Sequence, residues 1–398
     1  MIAPFEVARL PRIAFGAGCI KQLPQRAAGF GKRALLVTGQ HSLRASGTWH
    51  IIEQGLKQAR VEWQDFRVAG EPSPTLVDEA VAGFRDAGIE VVIGIGGGSV
   101  LDAAKAIAGL LRVKDSVMDY LEGVGPEKPY TGPATPFIAV PTTAGTGSEA
   151  TRNAVLSVQG PDGFKKSFRD EKLVPQWALV DPDLLASCPP ELVAADGMDA
   201  LTQLLESFVS LRASPFTDAL AWKGLESARD SLLPLYQSRD NTDARAGMAW
   251  ASLASGITLA QAGLGSVHGL ASPLGAFFPI PHGAVCGTLV ATATRVNITA
   301  MRERAPDHPA LERYARVATL LCQRTFASAE QAWDALVERL AEWSEQLALP
   351  TLEHWGVGPG DFSRIVANAR GSSMKTNPIV LTDEEINNIL AARCKSAA

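Results

Sequence analysis

The 398-residue chain has no charge excess: 37 Lys+Arg stand against 42 Asp+Glu, a formal net charge of −5. That balance leaves no basic surface for a polyanion, so nucleic acid is not an expected partner. No apolar run approaches the ~20 residues a membrane-spanning helix needs. Val91–Ile95, among the longest such runs, is far shorter, and the opening MIAPFEVARLPR has no apolar leader core. A cytoplasmic protein with no membrane partner is expected. Cysteine is sparse and scattered. Cys19, Cys188, Cys286, Cys322 and Cys394 are odd in number and form no C-x-x-C pair, which suits reduced, mostly buried thiols rather than a disulfide scaffold. There is no internal repeat, low-complexity tract or block of like charge. What the chain does have is core material. At 46% hydrophobic and 20% charged residues, and about 100–200 residues per domain, two or so domains are expected.

From about Lys32 to Asp181, short β-branched runs alternate with amphipathic stretches: ALLVTG (34–39), a helix-like segment to Arg60, VEWQDFRV (61–68), TLVDEAVAGFRDAG (75–88) and VVIGIG (91–96). PFIAVP (136–141), NAVLSV (153–158) and WALVDP (177–182) continue the series. The alternation predicts an α/β nucleotide-binding domain with a Rossmann-like parallel sheet. After Pro189-Pro190 the segments lengthen and become rich in Ala, Leu and Glu, which predicts an all-α domain. The expected division is 1–186 for the α/β unit and 187–398 for the helical unit.

Residues 91–108 read as a buried strand, a glycine turn and a helix on which Val100, Ala104, Ile107 and Leu111 share a face. Free N–H groups and the macrodipole at that helix's start favour a phosphate. Gly96, Gly97 and Gly98 permit close backbone approach, and Ser99 offers a hydroxyl. The usual dinucleotide fingerprint follows the first strand of its unit and ends on glycine. Here the run follows at least two strand–helix units and ends on Ser99, which argues against an ordinary Rossmann dehydrogenase. A second loop, PTTAGTGSEATRN (141–153), adds hydroxyls from Thr142, Thr143, Thr146 and Ser148, so two loops can hold a pyrophosphate and ribose from opposite sides. In 194–208, Asp199 and Gln203 stand one helical turn apart and can reach a common point. His268 and His282 follow, separated by a stretch that Pro273, Pro279 and Pro281 should break. One carboxylate and two imidazoles suit a divalent ion such as Zn²⁺ or Fe²⁺. His41, His50, His308 and His354 carry no such pattern.

GGGSVLDAAKA, PTTAGTGSEAT, GMDAL and the His268-x13-His282 pair ending in PHG occur in an order and spacing that resembles the iron-containing (group III) alcohol dehydrogenases. The resemblance runs from IAFGAG (13–18) to TNPIVLTDEEINNIL (376–390). It implies a nucleotide-binding domain, a helical metal domain, and a cleft where NAD or NADP meets a small alcohol or aldehyde. It also implies an Asp-and-three-His metal site in which Asp199, His268 and His282 fill three positions and Gln203 replaces the remaining His. Ser272 replaces a histidine often proposed to relay protons. An amide is a weaker ligand than imidazole, so Zn²⁺ stands level with Fe²⁺. Where members preferring NAD carry an Asp, this chain has Gly39, with Arg44 nearby, so nothing repels a 2′-phosphate.

The expected activity is a metal-dependent NAD(P) alcohol dehydrogenase or aldehyde reductase. By the same resemblance Gly96, Gly97, Gly98 and Ser99 hold the pyrophosphate and Asp102 orders the turn. Thr142, Thr143 and Thr146 flank the nicotinamide, Lys165 reaches its ribose, and Asn153 faces the substrate. The alternatives are a metal-free maleylacetate-type reductase, a zinc polyol (glycerol-like) dehydrogenase, and a non-catalytic nucleotide-binding protein. Finally, Phe5, Val7, Leu10, Ile13 and Phe15, set around Pro4 and Pro11, read as edge strands. An uncovered apolar edge invites another chain, and the resembled family commonly associates there, so a homodimer with residues 1–18 in its contact is expected.

Overall fold

The computed structural model describes residues 2–394; Met1 of the expected dimer segment and 395–398 of the expected helical unit lie outside them. Six strands form one parallel sheet: β1 (Arg12–Phe15), β2 (Arg33–Gly39), β3 (Glu62–Val68), β4 (Val91–Gly96), β5 (Phe137–Pro141) and, after two strands that leave the sheet, β8 (Trp177–Val180). Their order is β1-β8-β5-β4-β2-β3. Helices cover both faces: α1 (Leu23–Ala28), α2 (Ser42–Ala45), α3 (Gly47–Gln58), α4 (Pro74–Phe84) and α5 (Gly98–Leu110). Alternate residues of a strand point to opposite faces. Thus Leu35 and Val37 pack in one core with Val77, Leu101 and Ile107, while Ala34 and Leu36 pack in the other with Leu23, Ile52 and Leu56.

The chain leaves β2 for β3 on one side and returns to β4 on the other, so the carboxyl ends of β2 and β4 flank the point where strand order reverses. Open α/β sheets bind ligands at that crevice. Gly39 ends β2 there and Gly96 ends β4.

NAVLSV departs from expectation. It is β6 (Asn153–Val158), paired antiparallel with β7 (Phe164–Arg169) in a separate two-stranded sheet. Only residues 159–163 link them, enough for a hairpin but far too few for a parallel crossover. The hairpin tip reaches the helical half, where the Gly160 N–H donates to the Ala276 carbonyl at 3.1 Å.

Beyond β8 no strand occurs among the described residues. A single large core is built by α6 (Pro190–Val209), α7 (Pro215–Gln237), α8 (Thr242–Ala262), α9 (Ser266–Phe277), α10 (His282–Arg304), α11 (Pro309–Cys322), α12 (Ala329–Gln346), α13 (Phe362–Asn368) and α14 (Asp383–Ala392). The expected break between the two histidines falls at 278–281. Pro273, however, sits inside α9, where it removes one helical N–H donor without ending the helix.

At the N-terminus only Arg12–Phe15 forms a strand, pairing with β8 inside its own sheet. The remainder of the expected edge strands, from Ile2 to Pro11, is not a strand; Pro4 and Pro11 have no N–H to give a ladder. This stretch is tied to α8 instead, the Ala8 N–H donating to Gln261 Oε1 at 2.7 Å. No helix among the described residues is long and apolar enough to cross a membrane.

Candidate active site

A cavity of about 670 Å³ opens between the α/β half and the helices. From the nucleotide side it is lined by Gly98, Ser99, Asp102, Thr146 and Asn153, and from the helical side by Gln203, His268, Ser272 and His282, with Lys165 between. Gly39, Gly96, Gly97, Thr142 and Thr143 lie outside its lining, at or behind the carboxyl edge of the sheet.

Two glycine-bearing loops meet as the sequence predicts. A Cβ on Gly98 would lie 2.6 Å from Thr146 Cγ2, and one on Gly97 would lie 3.1 Å from Thr143 Cγ2. The N-cap of α5, Gly97, has no side chain to cap the helix, and Gly98 and Ser99 at its start line the cavity, where the partial positive charge of the helix start favours an anion. Asp102, in the first turns of α5, faces the second loop. It accepts the Ser148 hydroxyl at 2.5 Å and the Val155 N–H at 3.1 Å, fastening α5 to the second loop and to β6. Lys105, one turn on and fully buried, completes that clamp by donating to the Ser148 and Asn153 carbonyls and the Thr151 hydroxyl. Burial pulls its pKa down to about 8, against the pull of Asp102 and Glu149.

Lys165 on β7 donates to Glu71 Oε1 at 2.5 Å, and the other oxygen of Glu71 accepts the Ser157 hydroxyl. The Ser272 hydroxyl donates to the Lys165 carbonyl at 3.0 Å, so α9 and the hairpin hold each other. Asn153 accepts Arg169 Nε through Oδ1. Arg44 is engaged elsewhere, with Asp65 at 2.6 Å and its guanidinium 3.9 Å over Trp49.

At the cavity floor, α6, α9 and α10 bring Asp199, His268 and His282 together. His268 Nε2 lies 3.1 Å from Asp199 Oδ1, and His282 Nε2 lies 3.8 Å from the same oxygen. Asp199 is 1% exposed, and its Oδ2 has no hydrogen-bond partner. Burial disfavours its ionisation, but His282 and His268 bring the carboxyl down to about 2. Burial, aided by Lys165 and His268, pushes the His282 imidazole down to about 4, leaving a neutral lone pair. Burial also disfavours charge on His268, yet Cys286, Asp199 and Glu206 raise its pKa well above the ordinary value. A buried carboxyl with one unpartnered oxygen beside two imidazole nitrogens is a donor set that fits a divalent transition ion.

Two members of this floor escape the sequence reading. Glu206, two turns after Asp199 on α6, accepts His268 Nδ1 at 2.7 Å and the N–H groups of Gly265 and Val267. It therefore orients the ring and caps the start of α9 at once. A Cβ on Gly265 would lie 2.9 Å from Glu206 Oε1, so glycine is needed for that approach. Cys286, one turn after His282, directs Sγ to 3.6 Å from His268 Nε2 and 3.9 Å from His282 Nε2. Its i,i+4 spacing from His282 was the available signal. Gln203 shares the Asp199 face of α6, and its Oε1 accepts the Ser255 hydroxyl at 2.7 Å.

A doubly covered parallel sheet whose switch point opens onto buried cation-binding side chains is the architecture of a nucleotide-dependent metalloenzyme. Residues 11–182 match the iron-containing alcohol dehydrogenase family, and 193–394 match the C-terminal region of the Fe-containing alcohol dehydrogenase family. The chain is 31% identical to a choline dehydrogenase of Bacillus subtilis, covering 96% of this chain and 93% of that protein. It is 36% identical to a 1-propanol dehydrogenase of Salmonella typhimurium over 80% of this chain and 82% of the other. A crystal structure of 1,3-propanediol oxidoreductase superposes with a TM-score of 0.88 at 30% identity, covering 98% of this chain and 100% of that one. The chain belongs to the iron-containing alcohol dehydrogenase family. It is an oxidoreductase acting on CH–OH groups, with NAD(P) and a divalent metal ion as cofactors. These relatives favour neither a metal-free maleylacetate-type reductase nor a zinc polyol dehydrogenase.

Proposed function

We propose that the chain interconverts a small primary alcohol and its aldehyde. In this reading residues 1–186 bind the dinucleotide and 187–398 carry the metal and most of the substrate wall. The observation that carries it is the buried Asp199 carboxyl, its Oδ2 unpartnered, set against His268 and His282, which line the cavity that the start of α5 also reaches.

Asp199, His268 and His282 hold the divalent ion, Fe²⁺ or Zn²⁺, with Gln203 beside them. Gly96, Gly97, Gly98 and Ser99 bind the pyrophosphate through backbone N–H groups and the Ser99 hydroxyl. Thr142, Thr143 and Thr146 back the nicotinamide side, with Asp102 fixing the spacing of the two loops. Lys165 binds the nicotinamide ribose once it is released from Glu71, and Asn153 and Ser272 face the substrate. When bound, the dinucleotide supplies or accepts the hydride and the ion polarises the substrate oxygen. The protein's part is to bring these groups together and exclude bulk water. Gly39 leaves room for a 2′-phosphate, so both NAD and NADP are accepted. The protein works in the cytoplasm as a homodimer whose contact includes residues 1–18.

The test is metal analysis of protein purified without added metal or chelator, followed by an alcohol and aldehyde panel with both cofactors. The expected result is about one divalent ion per chain and oxidation of a short primary alcohol. Substoichiometric metal in fully active enzyme would overturn the reading.

A further inference from the structure

Cys286 is the one sulfur in the cation-binding group formed by Asp199, His268, His282 and Cys286, whose donor atoms all lie within 4.8 Å of one another. We infer that Cys286 is a ligand of the divalent ion and takes the protein position that Gln203 leaves to a neutral amide. The inference rests on the proposed roles of Asp199, His268 and His282.

Distances carry it first. Bonds of about 2.3 Å to sulfur and 2.0–2.1 Å to nitrogen or oxygen set tetrahedral edges of about 3.6 Å for S···N and about 3.3 Å for N···O. The structure has S···N separations of 3.6 and 3.9 Å, and N···O separations of 3.1 and 3.8 Å. The donors therefore lie close to the corners that one small ion would occupy. Asp199 Oδ2, on a residue 1% exposed, has no hydrogen-bond partner and faces the same need for a cation.

The local architecture agrees. α6 offers Asp199 and Gln203 one turn apart, and α10 offers His282 and Cys286 one turn apart. Gln203 Oε1 is engaged by Ser255 of α8, whereas the Cys286 sulfur lies against the two imidazoles. Charge agrees as well: Asp199 and a Cys286 thiolate together neutralise a divalent ion, which an amide does not. The thiol proton leaves to solvent as the ion binds, one for one. A thiolate is also softer than the imidazole it replaces, which moves the site's preference from Fe²⁺ toward Zn²⁺.

The experiment strips the full-length protein with chelator and adds Co²⁺, following stoichiometry by equilibrium dialysis and coordination by absorption. The expected result is one Co²⁺ per chain and a thiolate-to-cobalt charge-transfer band in the near ultraviolet. The band should vanish in Cys286→Ser and Cys286→Ala. Zinc affinity in Cys286→Ser should fall by more than the roughly 10–100-fold that an outer-sphere partner costs. Bound Co²⁺ without the band, or a band unchanged in Cys286→Ser, overturns the inference while leaving the metal site intact. No Co²⁺ bound at all overturns the metal site itself, and the dialysis reports that separately. If both variants fail to fold, the wild-type spectrum decides.

Discussion

Glu206 shows how a residue outside the proposed ligand set acts through one of its members, His268. One carboxylate receives His268 Nδ1 and two N–H groups at the start of α9. Its removal should therefore affect both metal affinity and helix stability. Glu206→Gln keeps the shape and loses the charge, so zinc affinity should drop about 10–100-fold. Glu206→Ala should also destabilise the protein by roughly 1–3 kcal/mol for each buried donor left unpaired. Zinc titration and denaturant melts of both variants check this; equal zinc affinity in wild type and Glu206→Gln would refute it. Asp199, His268 and His282 were legible in the sequence because rare residue types recur there at telling spacing. Glu206, Lys105 and Cys286 were not, since a glutamate, a lysine and a cysteine on helices are commonplace until packing shows what they touch.

Among the elements, the loop between β5 and β6 buries a carboxyl. Its Glu149 is 2% exposed, and Oε1 has no partner. Burial pushes its pKa up to about 7 from 4.5, against the pull of Lys105. A carboxyl whose folded pKa is raised binds its proton more tightly in the folded state, so stability present below pH 4.5 is lost as pH rises through 7. The interval corresponds to roughly 3 kcal/mol at 1.36 kcal/mol per pH unit. Glu149→Gln should remove this dependence. The variant should be up to about 3 kcal/mol more stable than wild type at pH 8 and nearly equal to it at pH 4. Urea melts at the two pH values decide, and a variant that is no more stable at pH 8 counts against the prediction. The strands and helices around this loop follow their periodicity closely. The β6–β7 hairpin does not, because an apolar run announces a strand without announcing its partner.

Across the whole molecule, β1 is the edge of the six-stranded sheet and leaves Ile13 38% and Phe15 41% exposed, with Phe5 50% exposed nearby. Apolar side chains along an open edge favour a second copy in closed two-fold symmetry. Light scattering at micromolar concentration should give the mass of a dimer. Ile13→Lys should shift it toward monomer while β1 stays paired to β8. A monomeric wild type would exclude the contact. The side-chain pattern shows that the edge is apolar; that it is an edge at all is a property of the sheet order.

The sequence by itself determined the strand–helix alternation and the glycine turn opening α5, because each rests on local spacing along one element, and it singled out Asp199, His268 and His282 by residue type. Tertiary structure alone decided what happens where elements distant in the chain converge. Asp199, His268 and His282 come from three helices, Lys165 arrives on a hairpin outside the six-stranded sheet, and Lys105 donates to Ser148, Thr151 and Asn153, which lie far along the chain from it. Those contacts depend on packing between faces of different elements, and no single face encodes what will lie opposite it.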